Sequence, residues 1–207
     1  MLDFTEWLLT IDHKILLFIN GLNSSFFDIC MWHISHRFFW LPLYLFLAFM
    51  VIYRLGVKKG LLCLLAIGIM IYATDQICSS VIRPMICRIR PSSPDNPISY
   101  FLHFVNEYRG NKYGFPSSHA ANTFALATFL SLLFKNRRLM IGLTIWAALV
   151  SYSRIYLGVH YPTDILVGAL IGSGLALLIY HIFTLVVDLK INAFKKIFYI
   201  NPVRFNK

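Results

Sequence analysis

The sequence predicts an all-α fold: a polytopic transmembrane helix bundle of about five spans, with a sixth available, preceded by an N-terminal amphipathic helix lying in the interface. Three observations carry that prediction. Hydrophobic residues make up 58% of the 207-residue chain and charged residues only 14%, at a mean hydropathy of +0.66, the balance of a protein whose solvent is largely lipid. Apolar residues gather into runs near 38–55, 61–82, 118–134, 139–157 and 162–187. Each is long enough, or nearly so, to cross a hydrocarbon layer of ~30 Å at ~1.5 Å per residue. The cations, finally, collect in the links between alternate runs. The length allows one domain over 1–207 and hardly two.

At the N-terminus Phe4, Leu8, Ile11, Ile15 and Phe18 recur at helical spacing, with Asp3, Glu6, Thr10 and His13 opposite. That pattern suits a helix lying in the membrane interface. The following segment, SSFFDICMWHIS, opens on serines and makes a second such piece, so 1–37 reads as N-terminal interfacial segments. A sixth span built from them would have to carry Asp28 and Arg37. The opening MLDFTEWLLT is acidic and lacks a small-residue cleavage site, so no removable signal peptide is expected.

The links fix an orientation. Arg54, Lys58 and Lys59 lie in 54–60, Lys135, Arg137 and Arg138 in 135–138, and Lys190, Lys195, Lys196, Arg204 and Lys207 in the tail, with Asp188 as the one acid among them. If five helices alternate, all three groups fall on one side, which the positive-inside tendency makes cytoplasmic. The same tendency explains the excess of 19 Lys+Arg over 9 Asp+Glu without a nucleic-acid partner, for which no motif is present. Cys30, Cys63, Cys78 and Cys87 form no CxxC pair and are expected to be small buried apolar residues.

The face opposite the cationic links receives three polar stretches. RPMICRIRP places Arg83 and Arg90 two helical turns apart, sharing a face if the segment is helical, with Pro84 suited to a first helical position. GFPSSHAANTFALA opens the third run on Ser117, Ser118 and His119, a good N-cap with free backbone N–H groups. SRIYLGVHYPTD carries Ser153, Arg154, His160 and Asp164. Interfacial anchoring, helix capping and a first-turn acid explain each stretch alone. Together they offer three guanidinium groups to neutralise a phosphate and two histidines to divide nucleophile and acid roles. Asp75, inside the second run, is equally a structural partner for a cation or a support for the site. His33 and His36, at i,i+3, read as interfacial and not as metal ligands. His13, His103 and His181 receive no role.

These stretches resemble the signature of the type 2 phosphatidic acid phosphatase superfamily: Lys-x6-Arg-Pro, Pro-Ser-Gly-His, then Ser-Arg-x5-His-x3-Asp. The chain gives Arg83-x6-Arg90-Pro91, Pro116-Ser117-Ser118-His119 and Ser153-Arg154-x5-His160-x3-Asp164, the similarity covering about 61–187. Arg83 replaces the usual lysine and keeps its charge. Ser118 replaces glycine, a strained choice only if the backbone there needs positive φ.

The resemblance implies a membrane lipid phosphatase working through a phosphohistidine. His160 would be the nucleophile, Asp164 its orienting carboxylate and His119 the acid, with Arg83, Arg90, Ser117, Ser118 and Arg154 on the phosphate. It implies no cofactor and no metal, since guanidiniums and a helix N-terminus supply the charge. It also implies a bacterial plasma membrane, in which the positive-inside tendency turns the site, opposite the cationic links, to the periplasm or exterior. Undecaprenyl diphosphate, lipid A phosphate and phosphatidylglycerol phosphate all remain open as substrates. So do phosphotransfer to a second lipid and, less favoured, a non-catalytic carrier or scaffold. The superfamily's soluble haloperoxidases are disfavoured by the five apolar runs.

Overall fold

In the computed structural model, which describes the backbone of residues 4–199 and the side chains of 5–187, all five apolar runs are helices. Helix α1 (Phe4–Gly21) and α2 (Ser25–Ser35) precede α3 (Leu41–Leu55) and α4 (Val57–Gln76). A π-helical turn, Ile77–Ile82, carries α4 into the short α5 (Arg83–Ile86). The long connection that follows leads to α6 (Ser118–Phe134), α7 (Arg137–Tyr156) and α8 (Pro162–Tyr199). Among the described residues the only β-type pairing is an isolated bridge between Ile89 and Tyr113.

Four segments are long and apolar enough to cross a bilayer: Arg37–Leu55, Val57–Ile86, Arg137–Tyr156 and Pro162–Val187. The fifth, α6, has 17 residues, about 25 Å at ~1.5 Å per residue, and is the most enclosed of the set. It packs on α8, α7 and α4 through small buried residues, Ala120, Ala121, Ala125 and Ala127, and through Phe129 and Leu130. The α6–α8 approach depends on Gly168 and Gly172. A Cβ at Gly168 would strike the Ser117 carbonyl, and one at Gly172 the Ala121 carbonyl. Small residues that let helix backbones touch are how helices associate in lipid, where no hydrophobic force draws them together.

Large apolar side chains point outward all around the bundle. Phe46 and Phe49 on α3, Leu65 and Ile69 on α4, and Leu166 and Leu170 on α8 are all more than half exposed. Such a surface is compatible with lipid and not with water. Helices α1 and α2 meet at a 118° bend, so they do not form one straight sixth span.

Helix α1 packs on the bundle through a face that its apolar pattern does not single out. Ile15 and Phe18 of the expected apolar stripe point outward, whereas Asp12, Leu16 and Asn20 form the buried stripe at i, i+4 and i+8. The polar members of that stripe have partners. Asn20 donates to the carbonyls of His103 (2.9 Å) and Tyr156 (2.7 Å) and accepts from the His103 amide (2.8 Å). On α2, Asp28 accepts from the Tyr156 hydroxyl at 2.6 Å and pairs with His103 at 2.8 Å. His103, given no role by sequence, thus ties α2 to the long connection.

The cysteine expectation holds for Cys63 and Cys78, which are buried. Cys30 is half-buried and Cys87 exposed, and all four thiols are free. The tail cations Lys190, Lys195, Lys196, Arg204 and Lys207, with Asp188 and Asp3, lie outside the described side chains.

Candidate active site

Arg83 and Arg90 do not share a helix. Helix α5 stops at Ile86 because Cys87 adopts a left-handed conformation (φ 52°), and the chain continues extended. The Arg90 amide bonds to the Lys112 carbonyl at 2.9 Å and the Gly114 amide to the Arg88 carbonyl at 3.0 Å. In an extended segment residues two apart share a face, so Arg88 and Arg90 project together. Pro84 does occupy the start of α5, as expected.

The three stretches nevertheless converge. Arg83 Nη2 donates to the Pro116 carbonyl and to Ser118 Oγ, each at 3.1 Å, joining the first stretch to the second. The Ser117 amide donates to the Asp164 carbonyl at 3.0 Å, joining the second to the third. Ser117 is the N-cap of α6, its hydroxyl accepting from the Ala120 amide. Ser118 lies in the first helical turn with no positive φ, so serine in place of glycine introduces no backbone strain.

Arg90 closes the centre. It is buried and donates from Nε to the Tyr113 carbonyl (3.0 Å) and from Nη1 to the Val159 carbonyl (3.0 Å) and His160 Nε2 (3.0 Å). A guanidinium has no acceptor, so His160 Nε2 must be the unprotonated nitrogen. The proton is then on Nδ1, which faces Asp164 Oδ2 at 3.3 Å. Burial, then the Arg90 and Arg154 charges, hold His160 well below the ordinary histidine value of 6.5, so the neutral ring is favoured. Burial and the neighbouring Arg154 and Arg83 bring Arg90 itself down to about 10, which leaves it charged at neutral pH.

Arg154 is buried in the last turn of α7, donating to Ser35 Oγ and, at 3.3 Å, to the Tyr108 hydroxyl. His119, in the first turn of α6, lies in the field of Arg154, His160, Arg90 and Arg37.

A cavity of about 470 Å³ opens between α3, α4, α6 and α7. Ser118, His119, Asn122, Ser35 and Arg37 form its polar end, and Leu47, Leu64, Ile67, Leu126 and Leu130 are among its apolar walls. It reaches His119 but not His160, Arg90 or Arg154. Asp75 lies on its wall and has no ion-pair partner among the described residues. His33 and His36 instead lie against the rings of Phe39 and Phe38.

Sequence reasoning missed four contributors. Arg88 bonds to Asp164 and Asp12, and Ser35 and Tyr108 hold Arg154. Gly114 lies against the His160–Asp164 dyad: a Cβ there would come within 2.9 Å of Arg90 Cγ and 3.4 Å of Asp164 Oδ2. Only Arg88 left a signal, as a third cation between Arg83 and Arg90.

A lipid-facing helix bundle enclosing guanidinium, imidazole and carboxylate groups defines an integral membrane enzyme that acts on an anion. The chain belongs to the PAP2 superfamily, whose model matches residues 61–187, and it is a phosphatase. It is 43% identical over 177 residues to the lipid A 4'-phosphatase of Bacteroides thetaiotaomicron, covering 86% of this chain and 79% of that one. The lipid A 4'-phosphatase of Porphyromonas gingivalis is 34% identical over 180 residues, covering 86% and 75%. Among solved structures, the transmembrane PAP2-type phosphatidylglycerolphosphate phosphatase of Bacillus subtilis superposes at a TM-score of 0.61. It has 26% identity and covers 84% of this chain and 85% of its own.

Proposed function

We propose that the protein removes a phosphate from a lipid at the non-cytoplasmic face of a bacterial plasma membrane through a phosphohistidine at His160, and that lipid A 4'-phosphate is its substrate. The observation that carries the mechanism is the state of the His160 ring: Nε2 holds a lone pair in a cluster of guanidiniums, while Nδ1 is turned to Asp164. A phosphate dianion draws Arg90 away from Nε2, which attacks phosphorus. As the phosphorus–oxygen bond breaks, the leaving oxygen takes a proton from His119. The His160 ring becomes cationic, keeping its Nδ1 proton, and Asp164 stabilises that charge. Water then attacks phosphorus and gives a proton to His119, and the phosphorus–nitrogen bond breaks to release phosphate. Arg83, Arg90, Arg154, Ser117, Ser118 and the free amides at the start of α6 hold the equatorial oxygens, where transition-state charge is spread.

The choice of substrate is supported by the two lipid A 4'-phosphatases, each aligned over 86% of the chain. The cavity supports a lipid, since its apolar walls run from His119 into the bundle. The choice of face is supported by the cationic links 54–60 and 135–138, which join the helix ends remote from the site.

The test is phosphate release by the purified protein from lipid A, undecaprenyl diphosphate and phosphatidylglycerol phosphate. Lipid A is expected to be hydrolysed fastest, with activity retained in chelator and abolished in His160→Ala. Preference for another lipid overturns the substrate. An active His160→Ala variant overturns the mechanism.

A further inference from the structure

Outside the family signature, one buried ionic network touches the dyad. Arg88 Nη1 donates to Asp164 Oδ1 at 2.7 Å and to Thr163 Oγ1 at 2.6 Å, and Nη2 donates to Asp12 Oδ2 at 2.6 Å. Asp12 also accepts from the Thr163 amide at 3.0 Å and from the Thr163 hydroxyl. Both carboxylates are 1% exposed, whereas the Arg88 side chain is 19% exposed and lies over the Tyr161 ring, 4.2 Å from its centroid.

We propose that Asp12 and Arg88 are positioning residues for His160: the Arg88 fork, anchored on Asp12 of α1, holds the Asp164 carboxylate in the plane that orients the nucleophile. The proposal rests on the reading of His160 as the nucleophile. Every bond in the chain of contacts has a purpose. Asp164 Oδ1 is taken by Arg88, and Oδ2 by the Tyr161 amide (3.0 Å) and His160 Nδ1 (3.3 Å), so the carboxylate cannot rotate without breaking a charge-assisted bond. Arg88 alone would neutralise Asp164 and weaken its hold on the developing imidazolium. Asp12 offsets that charge, leaving the network with a net negative charge beside His160. Asp12 further bonds to the backbone at the start of α8, where an anion is favoured by the free amides. Since Asp12 lies outside the 61–187 match, the site of this protein is incomplete without its first helix.

The charged and titratable groups around His160 are Arg90 and Arg88 from the long connection, Arg83 from α5, His119 from α6, Arg154 from α7 and Asp164 from α8. His13 of α1 contacts Tyr161 at 3.3 Å. Against this cationic background, losing the Asp12 anion disfavours a charged His160 ring, and losing the Arg88 cation favours it.

The experiment uses the full chain in detergent with ¹³C-labelled histidine, the His160 signal being assigned by its loss in His160→Gln. Kinetics on lipid A are run in parallel. Asp12→Asn is expected to lower kcat by about tenfold to a hundredfold with KM nearly unchanged and to move the His160 titration to lower pH. Arg88→Gln is expected to lower kcat similarly and move it to higher pH. Opposite displacements with a common loss of kcat do not arise from loosened packing. Arg88→Lys, which keeps the charge but cannot bridge both carboxylates, is expected to lose kcat with the titration little moved, and it reads the same coupling should Asp12→Asn fail to fold. Wild-type kcat in Arg88→Lys, or an unmoved His160 signal in both neutral variants, overturns the proposal. Opposite displacements in a protein that hydrolyses no lipid phosphate support the network and overturn the proposed reaction instead.

Discussion

Replacing Gly172 by alanine tests what sets the geometry of the site. A Cβ at this position falls 2.7 Å from the Ala121 carbonyl carbon and 2.9 Å from its Cα, with the carbonyl oxygen nearer still. Carbon atoms rest at ~3.5–4.0 Å, so α8 and α6 must part by about 1 Å. All three obstructing atoms belong to backbone and cannot rotate aside. Overpacking of this kind costs ~1–3 kcal/mol. Gly174 provides the control, because a Cβ there meets nothing within 4 Å and alanine gains up to about 1 kcal/mol of helix propensity. That gain is common to both variants, so they are expected to differ by the overpacking cost alone, roughly 1–3 kcal/mol in stability. Activity should separate them further. His119 stands on α6 while Asp164 stands on α8, and a misplacement of about 1 Å between reacting groups can cost ~100-fold. Thermal unfolding in detergent and phosphate release from lipid A measure both quantities. A Gly172→Ala protein as stable and active as Gly174→Ala would refute the reasoning.

Two further outcomes follow. Arg83→Lys should keep substantial activity, because the charge remains and an ammonium can still donate to Ser118 and the phosphate. Arg83→Ala should lose about tenfold or more, ~1.4 kcal/mol of transition-state stabilisation, and wild-type kinetics in that variant would reduce Arg83 to an interfacial anchor. For pH, burial and then the Arg90 charge depress His160 below 6.5, so the nucleophile stays unprotonated as pH falls through 6.5. The acidic limb of kcat/KM due to His160 should therefore lie under pH 6.5 and rise in Arg90→Gln. A wild-type limb above 6.5 contradicts this.

The apolar runs were legible because crossing a bilayer demands a length and composition that little else does; 118–134 matches α6 residue for residue. The convergence of the three stretches was legible too, since alternating helices return to the same face. The local path between Arg83 and Arg90 was not. Nothing in RPMICRIRP marks Cys87 for a left-handed conformation, and the extended segment after it is held by residues 112–114, about twenty positions away in the chain. Asp12 received no role for a related reason. A helical wheel shows that Asp12, Leu16 and Asn20 share a face, but a stripe with two polar residues out of three reads as solvent-facing unless its partners are known. The partner of Asp12, Arg88, stands 76 residues on.

The bond from Arg90 to His160 Nε2 has a consequence for selectivity. In the resting molecule the lone pair that would attack phosphorus is already an acceptor, so the proposed nucleophile is masked by one of the groups proposed to bind the substrate. A ligand unmasks it only by offering Arg90 something better than imidazole, and an anionic oxygen does so where a neutral ester does not. The charge on the headgroup thereby acts as the password as well as the handle. A lipid with no anionic headgroup oxygen to offer Arg90 would meet an enzyme whose histidine is not yet available to react.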